Sequence, residues 1–175
     1  MLFAQDDGSR SADDIAKEMS NPVGSLANLT FQGTYTQWSG DLQGANNQNT
    51  SSLIFMPTLP FKLWGGNFSV RPSFPLSSSP VLNEMNDWDK ERGLGNIGLM
   101  TLWGKMMPSG LLWGFGPTMF FPTASDPSLG QDQFQLGPAA LLGILKKWGV
   151  LGGLWQHYYG IGSVGEGEER VNLGT

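Results

Sequence analysis

Few side chains here could do chemistry, and none falls at the spacing of a reactive centre. His157 is the only histidine among 175 residues. An imidazole acts as a base only beside a nucleophile and an orienting partner. Ser163 is the nearest serine along the chain, and nothing around it supplies that partner. Neither Gly-x-Ser-x-Gly nor His-Glu-x-x-His occurs. Cysteine is absent, which removes disulfides and thiolate metal sites. Asp87 and Asp89 flank Trp88, with Glu84 and Glu91 nearby. Such a group could hold a divalent cation or bridge to lipopolysaccharide, but its spacing is not that of a calcium loop. It reads as a solvated loop, as do Glu166, Glu168 and Glu169. No catalytic residue, metal ligand or cofactor site is therefore predicted, and the chain is not expected to be an enzyme.

Arg71 is the exception worth following. It lies between Ser69 and Ser73 in the segment of clearest alternation. A charge facing lipid near a membrane midplane costs about 2–4 kcal/mol. If the strand crosses a bilayer, Arg71 must face inward, either setting selectivity or pairing with a carboxylate. Gln32, Thr34, Thr36 and Ser73 are predicted to line the same interior, while Lys62 and Lys105 sit near the rim and can snorkel.

The elements that must place these residues are strands. In 29–38 the apolar Leu29, Phe31 and Tyr35 alternate with Thr30, Gln32, Thr34 and Thr36. In 68–76, Phe68, Val70, Phe74 and Leu76 alternate with Ser69, Arg71 and Ser73. The segments 53–63, 111–121 and 134–144 repeat the pattern, and 94–105 and 150–161 show it blurred. Each is near the roughly 9–11 residues that cross a bilayer on a tilt. Charged residues make up only 14% of the chain, against about 25% in a typical soluble domain. No apolar run approaches the roughly 18 residues of a membrane helix. With ten Lys and Arg and a net charge of −5, no basic stripe exists for nucleic acid.

The connections sort by length. Trp64-Gly65-Gly66-Asn67, Met107-Pro108-Ser109-Gly110 and Lys147-Trp148-Gly149 are tight turns. Long polar loops over 39–51, 77–93, 123–133 and 163–170 alternate with them, as in outer-membrane barrels. Trp64, Trp103, Trp113 and Trp148 all fall near the short turns, where an aromatic girdle at the periplasmic interface would place them. Pro57, Pro60, Pro72, Pro75, Pro117, Pro122 and Pro138 run against the pattern, since proline removes a ladder donor.

At the amino end, Met1-Leu2-Phe3-Ala4 looks like the remnant of a secretory signal. Residues 5–24 read as a periplasmic segment with one short helix over 11–19, capped by Ser11 and stopped at Asn21-Pro22. Residues 25–175 then form an all-β, antiparallel up-and-down meander of about seven strands, part of a transmembrane β-barrel.

The order of segments resembles a family of bacterial outer-membrane proteins described as the meta-pathway phenol-degradation family. Ala16-Lys17-Glu18-Met19-Ser20-Asn21-Pro22 resembles its opening. Gly93-Leu94-Gly95-Asn96-Ile97 resembles its Gly-Leu-Gly-Asp-Ile segment, with Asn96 in place of Asp. The most specific likeness runs from Trp113-Gly114-Phe115-Gly116-Pro117 through Phe121-Pro122-Thr123-Ala124 to Leu136-Gly137-Pro138. The resemblance spans residues 16–172 and implies further strands beyond, so an open, curved sheet is expected. It implies an outer-membrane location and passage of small, hydrophobic or aromatic solutes. The expected partners are the lipid bilayer, lipopolysaccharide, a small-molecule solute and the barrel-assembly machinery. A barrel with a plugged lumen, serving structure or surface binding, is the alternative; a soluble secreted β-sandwich is another.

Overall fold

The computed structural model describes residues 26–146, 148–162 and 170–175. The signal remnant, the segment 5–24 with its predicted helix, and residues 163–169 lie outside the described residues. Nine strands follow in order: β1 Asn28–Gln37, β2 Asn49–Leu63, β3 Gly66–Leu82, β4 Trp88–Leu94, β5 Ile97–Met106, β6 Leu111–Phe121, β7 Phe134–Lys146, β8 Gly149–Ile161 and β9 Asn172–Gly174. All pair antiparallel in one sheet, in the order β1-β2-β3-β5-β6-β7-β8-β9 with β4 also on β3. The sheet curls into a half-barrel. All seven predicted strands are present; β4 and β9 are additional, and 77–93 is mostly strand rather than loop.

The meander puts its short connections at one end. Trp64 and Gly65 close β2 onto β3 with φ of 48° and 67°. Two positive φ values in a two-residue loop match the twist of the flanking strands. At the opposite end lie 38–48, 83–87 and 122–133, the first and last each holding a 3-10 turn, Ala45–Asn47 and Pro127–Leu129. Among the described connections, those at this end are longer than those at the short-turn end, though 83–87 is far shorter than the loop predicted over 77–93.

Strand β3 is shared. Its outer half pairs with β4 and its inner half with β5. Leu76 pairs with Leu94, and Ser73 with Gly98. One step is three residues and the other four, so Gly95 and Asn96 form a β-bulge. The Gly95 N–H still donates to the Pro75 carbonyl at 2.9 Å. The extra residue reverses the faces: even positions of β4 share the side that odd positions of β5 occupy.

Pro57, Pro72, Pro117 and Pro138 face the convex side and coincide with gaps in the ladders. Pro117 is registered with Pro138, and Pro72 with Leu99. The β2–β3 ladder stops between Phe55 and Leu59, β5–β6 between Met100 and Trp103, and β7–β8 between Leu136 and Ala139. Each gap contains a proline, whose missing N–H breaks the pairing. Glycines oppose them on the concave side. A β-carbon on Gly116 would run into the Thr101 carbonyl, and one on Gly137 into the His157 carbonyl. Missing donors and missing side chains together let the sheet bend sharply at this height.

Candidate functional site

Register carries one column of side chains across the concave face. Gln32 lies opposite Ile54, Ile54 opposite Pro75, Arg71 opposite Met100, Met100 opposite Thr118, and Ala139 opposite Gln156. The curl brings the two ends of this column together around one cavity of about 390 Å³, lined among others by Gln32, Arg71, Ser73, Thr118, Gln156 and Tyr158. Three predicted lumen residues, Gln32, Arg71 and Ser73, therefore share a site. Thr34 and Thr36 continue the same face toward the long loops, opposite Ser52 and Thr50, and do not line this cavity.

On the far wall, alternation in 111–121 turns Thr118 inward, but Gln156 and Tyr158 escape sequence reading. Gln156 Nε2 donates to the Tyr158 hydroxyl at 2.7 Å and to Thr118 Oγ1 at 3.2 Å, and the two hydroxyls lie 3.1 Å apart. Thr118 is 2% exposed and Tyr158 6%, so this triangle is a dry, satisfied network. Arg71 faces it without joining it. The Arg71 Nε is buried and has no hydrogen-bond partner among the described residues.

Below the cavity the interior is apolar. Met100, Leu102, Leu112, Ala139 and Leu141 form one buried cluster, with Leu154 packed against it. Polar and charged side chains thus line the upper half of the interior and apolar ones the lower half. Above the cavity, the 122–133 loop folds against the inner side of β3 and β4. A β-carbon on Gly93 would meet Ser125 and Leu129, and one on Gly95 would meet Leu129 and Pro75. The bulge holds this loop: Asn96 Nδ2 donates to the Gln131 carbonyl at 2.7 Å and Asn96 Oδ1 accepts from the Ala124 N–H at 3.2 Å. The Ile97 N–H donates to Thr123 Oγ1 at 2.8 Å.

The convex face is the reverse of this interior. Phe31 is 65% exposed, Phe115 56%, Leu142 63% and Leu151 64%. Nothing among the described residues covers them. Phe31, Phe55 and Phe74 form a ladder with ring centroids 5.1 and 6.1 Å apart. Trp103 and Trp113 meet edge to face at 5.5 Å near the short turns, with Lys105 Nζ 5.7 Å from the Trp103 ring. Trp64 and Trp148 project from the turns at 83% and 72% exposure. All four predicted girdle residues thus gather at one end. At the other end Trp38 and Trp88 meet at 6.1 Å, a pair that sequence reading did not single out.

Charge follows the same axis. Of the charged residues described, only Lys62, Arg71, Lys105 and Lys146 lie on strands other than β4. Lys62, Lys105 and Lys146 are at the short-turn rim, and Lys146 Nζ donates to the Ser109 carbonyl. Asp41, Glu84, Asp87, Asp89, Glu91, Asp126 and Asp132 are all at the long-loop end. Arg71 alone is charged in the band between. His157 faces outward, its Nε2 2.8 Å from Asn172 Oδ1 and its ring 4.3 Å from that of Tyr159. No nucleophile approaches it among the described residues, and no group of acidic or imidazole ligands there could hold a metal.

No family model matches the chain, and neither a curated protein nor a solved structure matches it.

Proposed function

We propose that this chain forms the wall of an outer-membrane β-barrel through which small solutes pass. The observation that carries the reading is the sorting of side chains by face. Large apolar groups are exposed on the convex side, while the polar groups and the one mid-strand charge point inward. Water-soluble monomers rarely expose contiguous apolar patches beyond a few hundred Å². Acyl chains would solvate the convex side without penalty. The dimensions support this. β6 has 11 residues. At about 3.3 Å each and a tilt of about 40°, they rise roughly 28 Å, close to the ~25 Å apolar band of known barrels. Aromatic rings at both ends, and charge confined to the rims apart from Arg71, fit the two membrane interfaces. The Gly-Pro steps and the Pro-Thr-Ala segment that carry the family resemblance point the same way, because their residues make the bends and the inward loop.

The test is conductance of the natural full-length protein in planar bilayers, after recovery from the membrane fraction with detergent. Discrete single-channel steps support passage, while recovery in the soluble periplasm without detergent rejects the membrane reading. A second reading, a plugged barrel serving structure or surface binding, is favoured by the buried Leu102, Leu112 and Leu141 in the lower interior. Small barrels fill themselves in this way. A protein that inserts and seals without conducting selects it.

A further inference from the structure

We infer that the Arg71 cavity is a binding site for a small organic anion, a carboxylate carried on an apolar body. This deepens the proposed passage function by naming the class of solute.

The Arg71 charge is unmatched among the described residues. The guanidinium offers five N–H donors in a fixed fork, and its Nε is buried without a partner among the described residues. A buried donor on a charged group left unpaired is costly, and an oxyanion is the natural ligand for the fork. The other charged groups do not fill that role. Every acidic side chain described lies in a loop or on β4. The nearest along the same face is Glu91, opposite Ser79. Ser79 is eight residues from Arg71 along β3, roughly 26 Å at about 3.3 Å per residue. That exceeds the ~8 Å screening length several times; on the inward loop the Asp126 carboxylate is taken up by Ser128, and no carboxylate among the described residues forms an ion pair with Arg71.

The surroundings choose the rest of the ligand. The Thr118–Gln156–Tyr158 triangle already satisfies its own members and adds no charge. Below it the wall is Met100 and the leucine cluster. An inorganic anion would leave that apolar surface in contact with water. A carboxylate head on Arg71 with an aliphatic or aromatic body toward the cluster would cover it. The volume of about 390 Å³ lies within the ~300–1,000 Å³ usual for small-molecule pockets.

The test compares hexanoate, 1-hexanol and hexylammonium by equilibrium dialysis against the natural full-length protein in neutral detergent, with protein-free micelles as background. Hexanoate is expected to bind saturably and at least tenfold more tightly than the alcohol, with no saturable binding of the ammonium. Arg71→Gln is expected to reduce hexanoate to the level of the alcohol, and Arg71→Lys to recover part of the difference. Equal binding of hexanoate and hexanol by the unaltered protein overturns the inference without reliance on any variant. So does an Arg71→Gln protein, folded by circular dichroism, that binds hexanoate unchanged. The two proposals separate cleanly. Hexanoate binding without conductance keeps the site and removes passage. Conductance without hexanoate preference keeps passage and removes the site.

Discussion

Trp64 occupies φ 48° with its side chain 83% exposed. The left-handed region costs a bulky residue about 1–2 kcal/mol, and in water such exposure offers no compensation. At a lipid–headgroup boundary the indole gains contacts that water does not provide. Trp64→Asn therefore has opposite expected signs in the two settings. It relieves about 1 kcal/mol of backbone strain, yet should lower the urea midpoint of the protein folded into vesicles; a raised midpoint would place the turn in water. Asp126 behaves more simply. Its carboxylate accepts from Ser128 Oγ at 2.6 Å and from the Ser128 N–H at 2.9 Å, which hold it below the usual carboxylate range. The contribution of a lowered carboxylate is complete above its unfolded value and is lost as pH falls through the folded one. The protection factor of the Ser128 amide, its exchange rate set against the unstructured-peptide rate at the same pH, should hold down to about pH 4 and fall below it, while Asp126→Ala should lower it throughout. Arg71, Ser73 and Gln32 were legible in the sequence because each stands polar between bulky neighbours. Gln156 and Tyr158 were not, because aromatic rings occupy both parities of 155–159 and mask the alternation.

The elements reveal where period-two reading fails. Strands β2, β3 and β6 were recognisable because one face is bulky and the other is not. The pattern blurred in β5 because Met100 and Leu102 are buried inside while Leu99 and Trp103 face out, making both sides apolar. The outer half of β3 read as a loop for the opposite reason. Ser77, Ser78 and Ser79 are polar on both faces, as suits a hairpin arm that projects beyond the apolar band. The bulge at Gly95-Asn96 was invisible to any fixed register, since it shifts parity in mid-run. Its role is testable. Asn96→Leu removes two of the hydrogen bonds that fasten the inward loop, and the single-channel conductance should rise while folding persists; unchanged conductance would mean the loop does not narrow the mouth. Gly116→Val should be more damaging, because its β-carbon would meet the Thr101 carbonyl. A loss of about 3 kcal/mol is expected from such overpacking, read as a lower urea midpoint in vesicles, whereas Gly33→Val, with open space around it, should change little.

At the scale of the whole molecule, polarity is organised along two directions at once. Radially, bulky side chains face out and polar ones face in. Axially, the short-turn rim carries lysines alone and the long-loop rim carries the carboxylates together with Lys90 and Arg92, with aromatic rings near both. Neither pattern serves a soluble sandwich, which would bury the convex face against a second layer. β1 pairs only with β2 and β9 only with β8, so the described sheet has two open edges. In the proposed lipid setting each unpaired backbone group would cost several kcal/mol, which those edges avoid only by pairing. The absence of cysteine permits a direct test by site-specific nitroxide labelling. Labels at Phe115→Cys and Leu142→Cys report the convex face, and labels at Thr34→Cys and Ser73→Cys the concave one. In bilayers, the convex labels should relax with oxygen and ignore a water-soluble nickel chelate, and the concave labels should do the reverse. Convex labels that respond to the chelate as strongly as the concave ones would contradict the account at its foundation.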